Sequence, residues 1–273
     1  MALDEDMAFD DITSDLTITN NNSLVNFQIN SRQDMIFCGK DVAFEVINQL
    51  KNADKFANQN IEINFHKQDG ELVKKSQNIA TGTANIKMIL AGERVILNLI
   101  QHLSSIATGT HKFVEALDNK KIKILDTRKT LPIYRYLQKY AVRCGGGFNH
   151  RMNLRDQILI KDNHISAGGG VDNVLNKAIN QNLKVEIECD NIQQVEQSLP
   201  YAPDIIMLDN MSIIEVQKAI NLIRQKLPNT LIEVSGGVDL SNIGNYRQLD
   251  IDFISVGSLT NSLQNVDIGL DFI

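Results

Sequence analysis

Cysteine is sparse. The three in 273 residues, at 38, 144 and 189, lie too far apart to frame disulfides, and none forms a CxxC metal pair. They read as the thiols of a reduced, cytoplasmic protein. No run approaches the ~18–20 consecutive apolar residues that a membrane span needs. A basic leader is missing too: the chain opens on the acidic MALDEDMAFDDITS, where a secretory or transit signal would be positive. Proline numbers only four. No internal repeat or low-complexity tract occurs beyond an asparagine-rich patch near 19–22. The phosphate-binding pattern GxxxxGK followed by Ser or Thr is absent, which excludes a P-loop.

Excess positive charge is also lacking. A formal net charge of −6 argues against general nucleic-acid binding. The bases are concentrated, however. Residues 121–164 hold ten Lys/Arg against three acids, a net of +7, which leaves −13 for the remainder. One reading of that segment is a solvated helix face, because Arg135, Lys139 and Arg143 recur at helical spacing. Arg128, Lys129, Arg151 and Lys161 sit beside apolar runs instead, as a site for small polyanions would require.

The length allows one large domain or two modest ones. LVNFQIN (24–30) and IEINFH (61–66) alternate as half-buried strands do, KDVAFEVINQLKN reads as an amphipathic helix, and DG at 69–70 marks a hairpin turn. Apolar residues at helical spacing from 86 to about 117 predict one long or broken helix. Beyond Lys121 the style changes. IKIL, QILI, VEIE, DIIML, LIEV and FISV each lead to a polar cluster, and helices are legible in NVLNKAINQN, NIQQVEQSL, SIIEVQKAINLIRQKL and NIGNYRQL. Such alternation means parallel strands with crossovers, so an α/β sheet or a shortened six-strand barrel. The last thirteen residues are too few for a domain and are expected to dock onto an earlier element.

Ligand-binding groups of parallel α/β folds gather at the carboxyl ends of strands. Here those ends carry Asp126-Thr127-Arg128-Lys129, Lys161-Asp162, Glu188, Asp209, Ser235-Gly236-Gly237 and Gly257-Ser258. Any one is an ordinary turn or helix cap. Six in succession are harder to explain so. The SGG and VGS stretches can turn backbone N–H groups toward a phosphate. Glu188 and Asp209 can hold Mg²⁺ or accept ribose hydroxyls. Arg128, Lys129, His150, Arg151 and Lys161 supply donors for carboxylates and phosphates. Gly145–Gly147 allow close approach to a ligand or an unusual turn, and Gly168–Gly170 read as a flexible connection. Together these parts imply a phosphorylated sugar with Mg²⁺ beside a second, strongly anionic molecule.

LDTRKTLPIYRYLQKYAVRCGGGFNHRMNLRDQILIKDNHI, with VEIECDN, IIMLDNMS, IEVSGGVDLSNI and DFISVGSLT, closely resembles the quinolinate phosphoribosyltransferase family. AGERVILNLIQHLSSIATGT and DEDMAFDDITS extend the resemblance over nearly the whole chain. It implies an N-terminal α/β sandwich (1–112), an incomplete six-stranded α/β barrel (113–260) and a tail (261–273) returning to the first domain. It further implies quinolinate and phosphoribosyl pyrophosphate as substrates, Mg²⁺ as cofactor, and a homodimer whose subunits share each active site. By the same resemblance, Arg94 would reach the partner's quinolinate. Arg128, His150, Arg151 and Lys161 would surround that dicarboxylate, with Lys129 serving both anionic substrates. Glu188 and Asp209 would bind ribose and Mg²⁺, while Ser235, Gly236, Gly237 and Gly257 would hold the 5′-phosphate. Lys129, Lys161, Glu188 and Asp209 would carry the chemistry.

The chain departs from the family pattern at the glycine-poor EDMAFDDITS, at Ser105, often glycine, and at Asn261, often histidine. His66, His102 and His111 have no motif partner and read as structural. The rival readings are a paralogue with another acceptor acid, a Schiff-base enzyme using Lys161, and a silent metabolite-binding protein.

Overall fold

Alternation in LVNFQINS becomes strand β1 (Leu24–Ser31), which buries Phe27 and Ile29 completely. The computed structural model describes residues 1–262 and 264–273. They form two units: residues 1–109, 143–146 and the chain from 264 onward in one, 110–142 and 147–262 in the other.

The first unit begins with two short helices, α1 (Ala2–Glu5) and α2 (Ile12–Thr17), the second capped by the Asp11 carboxylate on the Ser14 N–H at 3.1 Å. After β1 come β2 (Met35–Ile36), α3 (Lys40–Lys51), β3 (Ile61–Phe65), β4 (Leu72–Val73), β5 (Asn78–Asn85) and α4 (Ile86–Leu117). The antiparallel sheet has the order β12-β1-β5-β3, where β12 (Ile268–Phe272) is the last strand of the chain. Leu270 faces Ile29 across the β12–β1 pair, so the C-terminal segment completes this sheet's edge. Ile47 and Leu50 of α3 and Met88, Ile89, Ile96 and Ile100 of α4 share one buried core with the sheet.

One strand was not expected and one turn is placed differently. No clear hydrophobic alternation announces β5, because the positions that pack are small: Ala80, Gly82 and Ala84. Their size is required. A Cβ on Gly82 would lie 2.3 Å from the Glu62 carbonyl oxygen and 2.4 Å from the Phe27 ring. The Asp69-Gly70 turn, expected in a hairpin, instead joins β3 to β4, and β4 pairs with β2. Asp69 serves the neighbouring helix as well. Its carboxylate accepts the Gly39 and Lys40 N–H groups at 3.0 Å each, capping α3, whose own N-cap is glycine.

The second unit is a six-stranded parallel sheet: β6 (Lys123–Leu125), β7 (Ile158–Ile160), β8 (Val185–Cys189), β9 (Ile205–Asp209), β10 (Leu231–Ser235) and β11 (Phe253–Ser255). Their order is β6-β11-β10-β9-β8-β7. β6 does not pair with β7. A parallel bridge between Leu125 and Phe148 continues the hydrogen bonding past β6, so the sheet curls into an incomplete barrel. Register sorts the side chains by period two. Glu188, Met207 and Glu233 stand level on one face, as do Asp209, Ser235 and Ser255 one step further on. The other face carries Ile187, Ile206, Leu208, Ile232, Val234 and Ile254, all fully or almost fully buried. The crossovers are α5 (Arg135–Cys144), α6 (Asp162–Gly168), α7 (Val171–Ala178), α8 (Ile192–Ser198) and α9 (Ile213–Lys226), with α10 (Ser258–Asn261) after β11. NIGNYRQL supplies only a 3₁₀ turn, Ile243–Tyr246, in place of the expected helix.

α5 bears Arg135, Lys139 and Arg143, yet it is not a solvated cationic face, because Lys139 is fully buried against Asp126. The glycine run behind α5 is its stop. Gly146, at φ +89°, donates to the Arg143 carbonyl and Gly147 to that of Val142, both at 3.0 Å. Gly168–Gly170 form a second hydrogen-bonded stop rather than a flexible connection: the Gly170 N–H reaches the Ile165 carbonyl at 2.8 Å. Among the described residues no helix is long and apolar enough to cross a membrane, and none of Cys38, Cys144 and Cys189 is in a disulfide.

Candidate active site

The carboxyl ends of β6 to β11 open onto a cavity of about 520 Å³, within the range of small-molecule sites. Arg128 and Lys129 reach it from the loop after β6, and His150 and Arg151 from the segment bridged to β6. Lys161 follows β7, Glu188 and Asp209 come from β8 and β9, and Ser235-Gly236-Gly237 ends β10. All of these were expected from sequence. Gly257 does not line the cavity, and a Cβ there would come within 3.2 Å of the Lys129 side chain. Arg94 is exposed on α4, in the other unit, and lines no part of this cavity.

The charges in the cavity are poised for anions. The Arg151 guanidinium is held below its ordinary value by burial and by the like charge of Arg128. An anion between them would relieve that repulsion. On the same rim, Lys161 pairs with Glu188. Burial pushes the Glu188 carboxyl up, the Lys161 contact opposes this, and the charges of Asp209 and Asp190 add to the rise. One carboxylate oxygen from each of Glu188, Asp190 and Asp209 lies within 4.8 Å of the others. This all-oxygen donor set, with like-charge repulsion to be relieved, fits a hard divalent cation.

The Ser235–Gly237 turn has Gly236 at φ +85° and Gly237 at φ +63°, and the Ser235 carbonyl accepts the Asn210 N–H at 2.9 Å. A Cβ on Gly236 would fall 2.3 Å from the Asn210 side-chain oxygen and 2.7 Å from its backbone nitrogen. Glycine is therefore needed on both dihedral and steric grounds. Consecutive left-handed residues form the concave backbone that anions favour.

A further group escaped the sequence reading. Glu186 and Glu233, fully buried inside the barrel, flank the His150 ring. His150 Nε2 lies 3.2 Å from a Glu186 oxygen and 3.6 Å from Glu233 Oε2. Glu186 also accepts from Gln157, and Glu233 from Ser255, while Glu233 Oε2 has no hydrogen-bond partner. The signal lay in VEIE and LIEV: a glutamate two residues before a rim residue shares its face and points into the barrel.

The histidines expected to be structural lie elsewhere. His66 bonds Thr81 at 2.9 Å, His111 lies 3.3 Å from Glu115, and burial lowers the pKa of His102.

The family model for the C-terminal domain of quinolinate phosphoribosyl transferase matches residues 106–271, and that for its N-terminal domain matches 11–104. The chain belongs to the quinolinate phosphoribosyltransferase family. It is 38% identical to the nicotinate-nucleotide pyrophosphorylase (carboxylating) of Mycobacterium leprae, over 99% of this chain and 94% of that one. The crystal structure of nicotinate-nucleotide pyrophosphorylase from Ehrlichia chaffeensis superposes with a TM-score of 0.91 at 42% identity, over 100% of this chain and 96% of that one. NadC from Streptococcus pyogenes gives 0.89 at 35% identity, over 100% and 94%.

In this member of the family, Glu233 makes folding itself pH-dependent. Burial and the Glu186 charge push the Glu233 carboxyl from 4.5 up to about 8. The folded protein therefore keeps a proton that the unfolded chain loses above about 4.5. Its stabilising contribution is fully present below that pH and is lost as pH rises through about 8, by up to ~1.4 kcal/mol per pH unit. Glu233→Gln should remove this slope and become the more stable protein at the alkaline end. Denaturant unfolding of both proteins across the window checks it, and parallel slopes would contradict it.

Proposed function

We propose that this protein transfers the phosphoribosyl group of phosphoribosyl pyrophosphate to quinolinate and decarboxylates the product. The products are nicotinate mononucleotide, pyrophosphate and CO₂, a step of NAD biosynthesis. The observation that carries the reading is that one cavity is lined both by the cations Arg128, Arg151 and Lys161 and by Glu188, Asp209 and the Ser235–Gly237 turn.

In this reading the cations take the two quinolinate carboxylates and hold the ring nitrogen toward ribose C1′, with Lys129 between the anionic substrates. The SGG turn, backed by Gly257 beside Lys129, receives the 5′-phosphate. The ring nitrogen forms a bond to C1′ as the bond from C1′ to pyrophosphate breaks. Positive charge develops on the ribose in that step, and the nearby carboxylates of Glu188 and Asp209 favour it. The positive ring nitrogen then stabilises the electron pair left on the adjacent ring carbon when its carboxylate departs as CO₂, and that pair takes up a proton. Mg²⁺, held by Glu188 and Asp209, would neutralise pyrophosphate charge. Lys161 and the cation would then share Glu188. In a homodimer, Arg94 would extend to the neighbouring subunit's quinolinate.

The test supplies Mg²⁺, phosphoribosyl pyrophosphate and quinolinate labelled at the 2-carboxylate, and follows CO₂ and nicotinate mononucleotide together. Matched release, absent when nicotinate replaces quinolinate, is the expected result. Glu188→Gln and Asp209→Asn should each lower kcat by about 10²–10³-fold. A folded wild type that forms no product would defeat the assignment and direct attention to another acceptor acid.

A further inference from the structure

Two of the three cysteines, remote from each other in the sequence, meet in the fold. Cys38 lies in the turn between β2 and α3, Cys144 is the last residue of α5, and Asp69 sits in the turn from β3 to β4. All three belong to the first unit. One ligand atom from each, the two thiol sulfurs and a carboxylate oxygen, lies within 4.8 Å of the others. Cys38 Sγ is 3.9 Å from Asp69 Oδ2. A tetrahedral ion with bonds of ~2.3 Å to sulfur and ~2.0 Å to oxygen spaces its ligands about 3.5–3.8 Å apart. Closing this pair onto one ion therefore takes a shift of only about a few tenths of an ångström.

The surroundings hold these groups in place. Asp69 Oδ1 accepts the Gly39 and Lys40 N–H groups, which fixes the carboxylate with Oδ2 toward Cys38. The Cys38 N–H donates to Ser104 Oγ at 2.9 Å, and that hydroxyl donates back to the Cys38 carbonyl at 3.1 Å. The two turns pair through the Gly70 N–H to the Phe37 carbonyl at 2.8 Å and the Phe37 N–H to the Glu71 carbonyl at 2.9 Å. The end of α5 packs on the same place, since a Cβ on Gly70 would come 3.3 Å from the Cys144 carbonyl oxygen. Outer partners of this kind orient metal ligands. Cys38 is fully buried, whereas Asp69 and Cys144 are half-buried, so a further ligand can arrive from solvent.

We propose that Cys38, Asp69 and Cys144 bind a thiophilic divalent cation of the zinc class, with water as the fourth ligand. Thiolate ligands select such an ion over Mg²⁺ and Ca²⁺, which take oxygen. The ion would clip the turn before α3, the β3–β4 turn and the end of α5 together. Its role is structural and separate from the all-oxygen group Glu188, Asp190 and Asp209. In the metal-free protein the Cys144 contact, burial and the Asp69 charge hold the Cys38 thiol well above its ordinary value. Oxidation to a disulfide needs a thiolate, which this environment withholds. A cation reverses the balance, because coordination removes the thiol proton and gives the carboxylate a countercharge.

Cobalt tests the site directly. Full-length protein, reduced and stripped of metal, should develop a sulfur-to-cobalt charge-transfer band on titration with Co²⁺, together with the intense visible bands of tetrahedral cobalt. Zn²⁺ should abolish both by displacement. The double variant Glu188→Gln, Asp209→Asn should keep the band, since an all-oxygen site produces none. Cys144→Ser should lose it. Asp69→Asn, which keeps an oxygen for the Gly39 and Lys40 N–H groups, should weaken cobalt binding by about 10²-fold. In the Glu188→Gln, Asp209→Asn background, zinc at about 100 times its Kd should raise Tm by about 5 °C. Adding Cys144→Ser should remove that rise. A folded, reduced wild type without the thiolate band would overturn the proposal, as would a band that survives Cys144→Ser. Ready formation of a Cys38–Cys144 disulfide in air, with no cobalt bound after reduction, would make this a redox pair and defeat it equally. None of these signals depends on the reaction assigned above.

Discussion

An Arg151→Ala enzyme is expected to lose about 10²–10³-fold in kcat/KM for quinolinate, or roughly 3–4 kcal/mol, mostly through KM. In the free protein the Arg151 guanidinium already sits under the combined strain of burial and the Arg128 charge. A carboxylate arriving between the two guanidinium groups replaces a repulsion with two charge-assisted contacts. Truncation leaves that carboxylate partly desolvated and without its planar, two-toothed partner. Arg151→Lys restores the charge but not the fork, so it should recover about tenfold and no more. KM for phosphoribosyl pyrophosphate should move far less, because the SGG turn is held by β10 and Arg151 by the separate segment bridged to β6. Initial rates with each substrate varied in turn decide it. An unchanged KM for quinolinate, in a protein that unfolds like the wild type, would remove Arg151 from the acceptor pocket.

The rim of this site was legible because strand ends are punctuated. Each apolar run of the second unit stops at a polar or glycine residue, and the order Arg128-Lys129, Lys161, Glu188, Asp209, Ser235-Gly236 could be taken directly from the chain. The floor of the site was not legible. Glu186 and Glu233 sit inside runs that read as continuous core, and only the pleat reveals that they share a face with rim residues. Lys139 misled for the opposite reason. Its spacing from Arg135 and Arg143 is that of a helix face, which says nothing about which side of the helix meets Asp126. In the first unit the same limit applies to β5. Its alternating Ala80, Gly82 and Ala84 carry too little hydrophobicity to announce a strand, though their smallness is what admits the Phe27 ring.

Lys139→Met is expected to destabilise the protein by about 3–5 kcal/mol, the usual cost of stranding one member of a buried ion pair. Both partners are fully buried. Burial pushes the Asp126 carboxyl up and the Lys139 ammonium down, and each is held toward its charged form by the other. Asp126 also accepts from the Asn149 side chain and the His150 N–H, and Lys139 donates to the His150 carbonyl. The pair thus ties the segment carrying His150 and Arg151 to β6 and α5. Methionine fills the volume but leaves a buried carboxylate without its countercharge and the His150 carbonyl without its side-chain donor. The melting temperature should fall by about 10 °C, with kcat/KM for quinolinate falling alongside as Arg151 loses its anchorage. Asp126→Asn in the same chain removes the stranded charge while keeping an oxygen for the His150 N–H. The double variant should therefore regain about half of the lost stability without regaining activity. If Lys139→Met alone melts like the wild type, the pair is not what fixes this segment. The basic stretch 121–164 would then owe its order to the Leu125–Phe148 bridge and the glycine stop behind α5.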